Sequence, residues 1–81
     1  MKARITVTLK VSVLDPQGKA IADALHGLGF STLQSVRQGK LFDIELKNMP
    51  KAEAEAECAK MCEQLLANGV IENYQVEILG A

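Results

Sequence analysis

From Arg4 to Val13 the chain reads RITVTLKVSV, with Ile5, Val7, Leu9, Val11 and Val13 on one side of an extended backbone and Arg4, Thr6, Thr8, Lys10 and Ser12 on the other. A two-residue period predicts a strand with one buried face. Asp15 then offers an N-cap oxygen and Pro16 a preset φ for the first helical turn. Ile21, Ala24, Leu25 and Leu28 follow at helical spacing, so a helix is expected to end near Leu28, with Gly29 as its left-handed cap. Leu33 to Gln38 and Lys40 to Lys47 read as two strands turning about Gly39, and in the second Phe42, Ile44 and Leu46 alternate with Asp43, Glu45 and Lys47. "NMP" at Asn48 to Pro50 interrupts the pattern. "KAEAEAECAKMCEQLLA" then sets Ala54, Cys58, Met61, Cys62 and Leu65 along one helical stripe. Asn68 and Gly69 stop that helix, and in the closing "VIENYQVEIL" Tyr74, Val76 and Ile78 alternate with Gln75 and Glu77.

The predicted order is strand, helix, strand, strand, helix, strand. With right-handed crossovers this is an α+β, βαββαβ ferredoxin-like sandwich: a four-stranded antiparallel sheet with two helices on one face. Residues 1–81 read as one domain without linker or repeat. At 81 residues, only roughly 60% of the unfolded surface can be buried, so the core is thin and a second subunit would reinforce it.

Apolar residues make up 48% and charged residues 23% of the chain, a globular rather than disordered composition. Nine basic against ten acidic residues leave a net charge of −1, without the cationic field that non-specific nucleic-acid binding requires. The N-terminus carries no secretory pattern and no apolar run approaches the ~20 residues that span a bilayer, so a cytoplasmic protein is expected. Cys58 and Cys62 are spaced as neighbours on one helix face rather than as a C-x-x-C pair, and are expected to be buried free thiols, with no metal site.

The stretch "VLDPQGKAI", Val13 to Ile21, joins a rigid turn, a glycine and a lysine. It is not a phosphate-binding P-loop, which needs G-x-x-x-x-G-K-[ST]. Helix capping by Asp15, a partner-binding surface, and an anion site at the helix N-terminus are the three roles open to it. His26 lies off the apolar stripe with no second histidine or placed nucleophile, and reads as a surface residue. Glu53, Glu55 and Glu57 are spread around their helix as a solvated face. Phe42 is the one aromatic of its strand and belongs to the core side, against base stacking, and the loop from Leu14 to Lys19 lacks the cysteine pair of copper carriers. These residues describe a helper or regulatory domain without an active site of its own.

Five stretches carry a resemblance: "VTLK" at Val7 to Lys10, "LDPQGKA" at Leu14 to Ala20, "ALHGLGF" at Ala24 to Phe30, "SVRQGK" at Ser35 to Lys40 and "NGVIENYQVEI" at Asn68 to Ile78. Through them the chain resembles the PurS family, the small subunit of phosphoribosylformylglycinamidine synthase in purine biosynthesis, departing from it locally at Ser12, Gly69 and Asn73. The resemblance implies an ATP-dependent ligase that forms the amidine of formylglycinamide ribonucleotide with ammonia from glutamine. It also implies a glutaminase subunit and a synthetase subunit bridged by the PurS-like chain, which helps ammonia pass between them. ATP and magnesium would then belong to the synthetase, with no cofactor bound by this chain alone. On this basis Asp15, Gln17, Gly18 and Lys19, with Arg37 and Lys40 at the hairpin, are expected to face the larger subunits. Gly18 would permit close backbone approach, and Arg37 and Lys40 would pair with carboxylates or a nucleotide phosphate. The resemblance further implies a homodimer or homotetramer, expected to form along the last strand, with Ile71, Tyr74, Val76 and Ile78 at the edge. The competing expectation is an ACT-like regulatory module that binds a small molecule.

Overall fold

The computed structural model describes residues 1–80. Strand β1 spans Lys2–Leu9, helix α1 Pro16–Gly27, strand β2 Gly39–Glu45, helix α2 Lys51–Met61 and strand β3 Glu72–Gly80. The strands form one antiparallel sheet in the order β2-β1-β3. The period of two read from the sequence becomes three cross-strand rows on one face. Ile44, Ala3 and Ile78 stand in line, then Phe42, Ile5 and Val76, then Lys40, Val7 and Tyr74. Ala3, Ile5 and Val7 are fully buried and the flanking strands' apolar residues partly so, with Cys58 and Cys62 of the second helical segment packed on top. Each fully buried branched side chain here contributes roughly 1.5–3 kcal/mol, and the small Ala54, Cys58 and Cys62 let α2 approach the sheet closely. The opposite face is polar, with Arg4 in line between Asp43 and Glu77.

Helix α2 does not end where its pattern suggested. A π-helical turn, Cys62–Leu66, follows it, closed by the Ala67 N–H donating to the Cys62 carbonyl at 3.0 Å. The wider turn rotates the stripe: Leu66 joins the core, whereas Leu65, expected on the buried face, is 84% exposed.

Two further expectations are corrected. The first strand stops at Leu9 rather than Val13, because its ladder partners run out at Gly39 on one side and Glu72 on the other. The chain turns there, with the Val13 N–H bonded to the Lys10 carbonyl, and Val11 is 94% exposed. The sheet has three strands rather than four, since residues 33–38 form no strand within this chain. They run back beside α1, from the Leu33 carbonyl against His26 Nε2 (2.7 Å) to the Gln38 N–H against Asp15 (2.7 Å). The helix between those partners rises about 16 Å, and five residues reach about 17 Å when fully extended, so the segment is close to full extension.

Helix α1 and this return segment form an arm that leaves the sheet. Only α2 lies over the inner face, toward β1 and β3. The molecule is 48 × 26 × 15 Å with a radius of gyration of 16.0 Å, against about 12 Å for a compact chain of this length. Gly29, at φ +100°, ends α1 in the left-handed conformation that its position predicted.

Candidate functional site

The sequence places its candidate residues at the root of the arm, and the structure shows what holds each one there. Asp15, 5% exposed, caps α1 by accepting from the Gly18 N–H at 2.9 Å through Oδ1, while Oδ2 accepts from the Gln38 N–H at 2.7 Å. The two backbone donors, Gln38 first, hold its carboxyl below the usual carboxylate range, with Arg37 adding a smaller Coulombic contribution. Gly18 is buried because the return segment crosses directly over it, so a Cβ here would lie 2.2 Å from the Val36 carbonyl oxygen. Arg37 Nη2 donates to the carbonyls of Lys10 and Val13, both at 2.9 Å, and so ties the return segment to the turn after β1. Asp15, Gly18 and Arg37 therefore knit one polar knot.

The remaining candidates are more accessible. Gln17 Oε1 accepts from Gln38 Nε2 at 2.8 Å on the surface, and Lys19 lies one turn along α1, 3.3 Å from Asp23. Lys40 reaches across the sheet end to Glu72, with Nζ 3.8 Å from Oε2, while Glu72 Oε1 accepts from the Asn68 N–H at 2.7 Å. Asp15, Gln17, Gln38, Gly39, Lys40 and Glu72 line one notch of about 200 Å³ between the arm and the sheet end. Lys19 and Arg37 lie outside that lining. Gln38 falls within the Arg37–Lys40 hairpin stretch expected at the partner surface but was given no role of its own, and Glu72 was not singled out from the sequence. Gln38 reads as an ordinary strand residue, and Glu72 meets Lys40 only through the register of two strands that flank β1.

Among the described residues, no cluster of three or more His, Cys, Asp or Glu side chains is placed to hold a metal, and no helix is long and apolar enough to cross a membrane. Cys58 and Cys62 are buried free thiols, as their spacing predicted, and burial pushes both thiols above their ordinary range. His26 is exposed. Strand β3 is an edge of the sheet, with Tyr74, Val76 and Ile78 turned toward the core and Ile71 in the turn before it.

The family model described as PurS, phosphoribosylformylglycinamidine (FGAM) synthase, matches residues 2–80. The chain belongs to the PurS family. It is 48% identical over 75 residues to the phosphoribosylformylglycinamidine synthase subunit PurS of Synechocystis, an alignment covering 93% of this chain and 75% of that one. The Bacillus subtilis PurS subunit is 42% identical over 77 residues, 95% of this chain and 90% of its relative. Solved structures agree. Bacillus subtilis PurS matches with a TM-score of 0.84 at 42% identity, covering 94% of each chain. A chain of the PurLQS structure from Thermotoga maritima matches with a TM-score of 0.85 at 33% identity, covering 94% of this chain and 93% of that one. The three-stranded α+β architecture of this PurS chain, arm included, is therefore similar to that of experimentally determined PurS chains.

Proposed function

We propose that this PurS chain is the small subunit of a phosphoribosylformylglycinamidine synthase in purine biosynthesis, bridging a glutaminase subunit and a synthetase subunit and assisting the passage of ammonia between them. The observation that supports this reading is the similarity, over nearly the whole chain, to PurS subunits of that enzyme and to a chain of a PurLQS structure. In this reading the chain supplies surfaces rather than reacting groups, and ATP and magnesium stay with the synthetase in the cytoplasm. The state of the candidate residues fits such a role. Asp15, Gly18 and Arg37 are engaged in holding the arm root. Gln17, Lys19 and Lys40 remain on the surface around it, with amide and ammonium groups available to carbonyls, carboxylates or phosphate. The chain also associates with itself as a dimer or tetramer, which would cover the apolar residues that the arm leaves in solvent.

Sedimentation of the three subunits together tests the bridging role. With the native chain, synthetase and glutaminase are expected to co-sediment. Replacing Gln17 and Lys19 together by alanine removes only surface hydrogen-bonding groups, and is expected to weaken assembly by about tenfold or more while the far-UV spectrum is unchanged. Assembly that is equally tight without the chain would refute the bridge.

A further inference from the structure

Two turns at the arm-root end of the sheet are held firmly, yet they present apolar side chains to solvent. After β1, the Lys10 N–H donates to the Ile71 carbonyl at 2.8 Å, one step beyond the last ladder pair of Leu9 and Glu72. The Val13 N–H closes back on the Lys10 carbonyl, and Arg37 Nη2 donates to the carbonyls of both Lys10 and Val13. Before β3, Asn68 holds the second turn. Its Oδ1 accepts from the Val70 N–H at 3.0 Å and its carbonyl from the N–H groups of Ile71 and Glu72, while its own N–H donates to Glu72 Oε1. Continuing the register by two residues sets Val11 opposite Val70. Val11 is 94%, Val70 80% and Leu14 75% exposed, with Ile71 half-buried beside them. Apolar residues exposed singly are ordinary, but three in adjoining turns make a patch. Closing the turns does not require them, because Arg37 and Asn68 bind backbone groups that serine or asparagine would offer equally well at either valine.

The border of the patch is positive. Among the described residues, neither Lys10 nor Arg37 has a carboxylate within ion-pair distance. The nearby acids are turned elsewhere, Asp15 to the N–H groups of Gly18 and Gln38, and Glu72 to Asn68 and Lys40.

We infer that Val11, Leu14 and Val70 are the anchor by which this chain is held on one larger subunit of the ligase, and that the matching surface is an apolar recess with carboxylates on its rim. This rests on the bridging role proposed above, and it separates the residues that supply affinity from those that steer the encounter. An apolar centre inside a polar border is the arrangement in which a few side chains carry most of the binding energy. The two turns are already fixed, so little ordering cost is set against burial of the anchor. The occupant is a different protein rather than a second copy, because an isologous contact would bring Lys10 and Arg37 against like charges. Lys10 and Arg37, with Gln17, Lys19 and Lys40 beyond them, are then border groups that speed association and set its dependence on salt.

Co-sedimentation of the chain with synthetase and glutaminase together, titrated at about 0.1 M and about 0.5 M sodium chloride, tests the assignment. Val11→Asp would set a carboxylate in an apolar recess beside other carboxylates, and is expected to raise the dissociation constant for assembly about 100-fold. Leu14→Ser is expected to raise it about tenfold. Both positions are exposed in the single chain, so each variant is expected to keep the native far-UV spectrum and the native self-association. Lys10→Gln is expected to leave a complex whose affinity depends less steeply on salt. A Val11→Asp chain that assembles with unchanged affinity, or that instead loses its self-association, would overturn the anchor. A salt dependence unchanged in Lys10→Gln would overturn the carboxylate rim. Unchanged assembly of Val11→Asp leaves the bridge itself standing, whereas larger subunits that co-sediment equally well without any chain would refute the bridge, so the two proposals fail separately.

Discussion

Two glycines of the same helix should answer the same substitution with opposite signs. At Gly18 an alanine Cβ would lie 2.2 Å from the Val36 carbonyl oxygen, where ordinary contact begins at 3.4 Å, and 2.9 Å from Asp15 Oδ2. Both neighbours are held: Val36 by the extended segment, and Asp15 by its bonds to Gly18 and Gln38. The return segment must therefore retreat by more than an ångström, which carries the Gln38 N–H, now 2.7 Å from Asp15, toward the limit of hydrogen bonding. Overpacking of this kind destabilises by about 1–3 kcal/mol, and the higher helix propensity of alanine returns only about 1 kcal/mol. At Gly27 a Cβ meets nothing within 4 Å, so only the propensity gain, about 0.5–1 kcal/mol, remains. Amide exchange across Ala22 to Leu25 reads both, since about 1.4 kcal/mol changes the opening equilibrium tenfold. Exchange is expected to accelerate by up to about thirtyfold in Gly18→Ala and to slow several-fold in Gly27→Ala. Equal or better protection in Gly18→Ala would refute the packing of the return segment on α1.

Three further outcomes follow from the packing and the charges. Because the native carboxyl of Asp15 titrates below its unfolded value of 3.8, its contribution to the arm is complete above that value and is lost as pH falls through the native one. The arm amides should therefore lose protection on acidification below about pH 4, and Asp15→Asn should abolish that pH dependence while weakening the arm at neutral pH. Ile5→Ala, at a fully buried position between Phe42 and Val76, is expected to lower unfolding free energy in urea by about 2–5 kcal/mol, whereas Thr6→Ala on the polar face should stay within about 0.5 kcal/mol. Cys58 and Cys62 should react with a thiol reagent only as fast as the chain opens, and within the mixing time in urea; rapid reaction of the folded chain would contradict their burial.

The sheet was legible because its information is local. Ile5 and Val7, Phe42 and Ile44, and Val76 and Ile78 alternate within their own segments, and any antiparallel pairing that buries them must bring those faces together. The Asp15–Pro16 helix start and the Gly29 stop were legible for the same reason, as each is a matter of one residue's preferred backbone or side-chain reach. What escaped depends on partners. Leu33–Gln38 has a strand's composition but no strand beside it in this chain, and composition does not say whether a ladder partner lies within reach. Leu65 and Leu66 are equally apolar, and only the π turn decides which one points inward. At the candidate site, Gly18 was expected to admit the backbone of another subunit, whereas the backbone lying against it is the chain's own, at Val36. The carbonyls of Lys10 and Val13, which take up Arg37, carry no signal in the residue types that bear them.

The measurement closest to the central proposal compares two nitrogen sources. Purified synthetase and glutaminase subunits would be assayed for ligation with and without this chain, once with glutamine and once with an ammonium salt. A bridging subunit predicts that glutamine-driven turnover requires the chain while ammonia-driven turnover is much less sensitive to it. Glutamine-driven turnover that is the same with and without the chain would contradict the account.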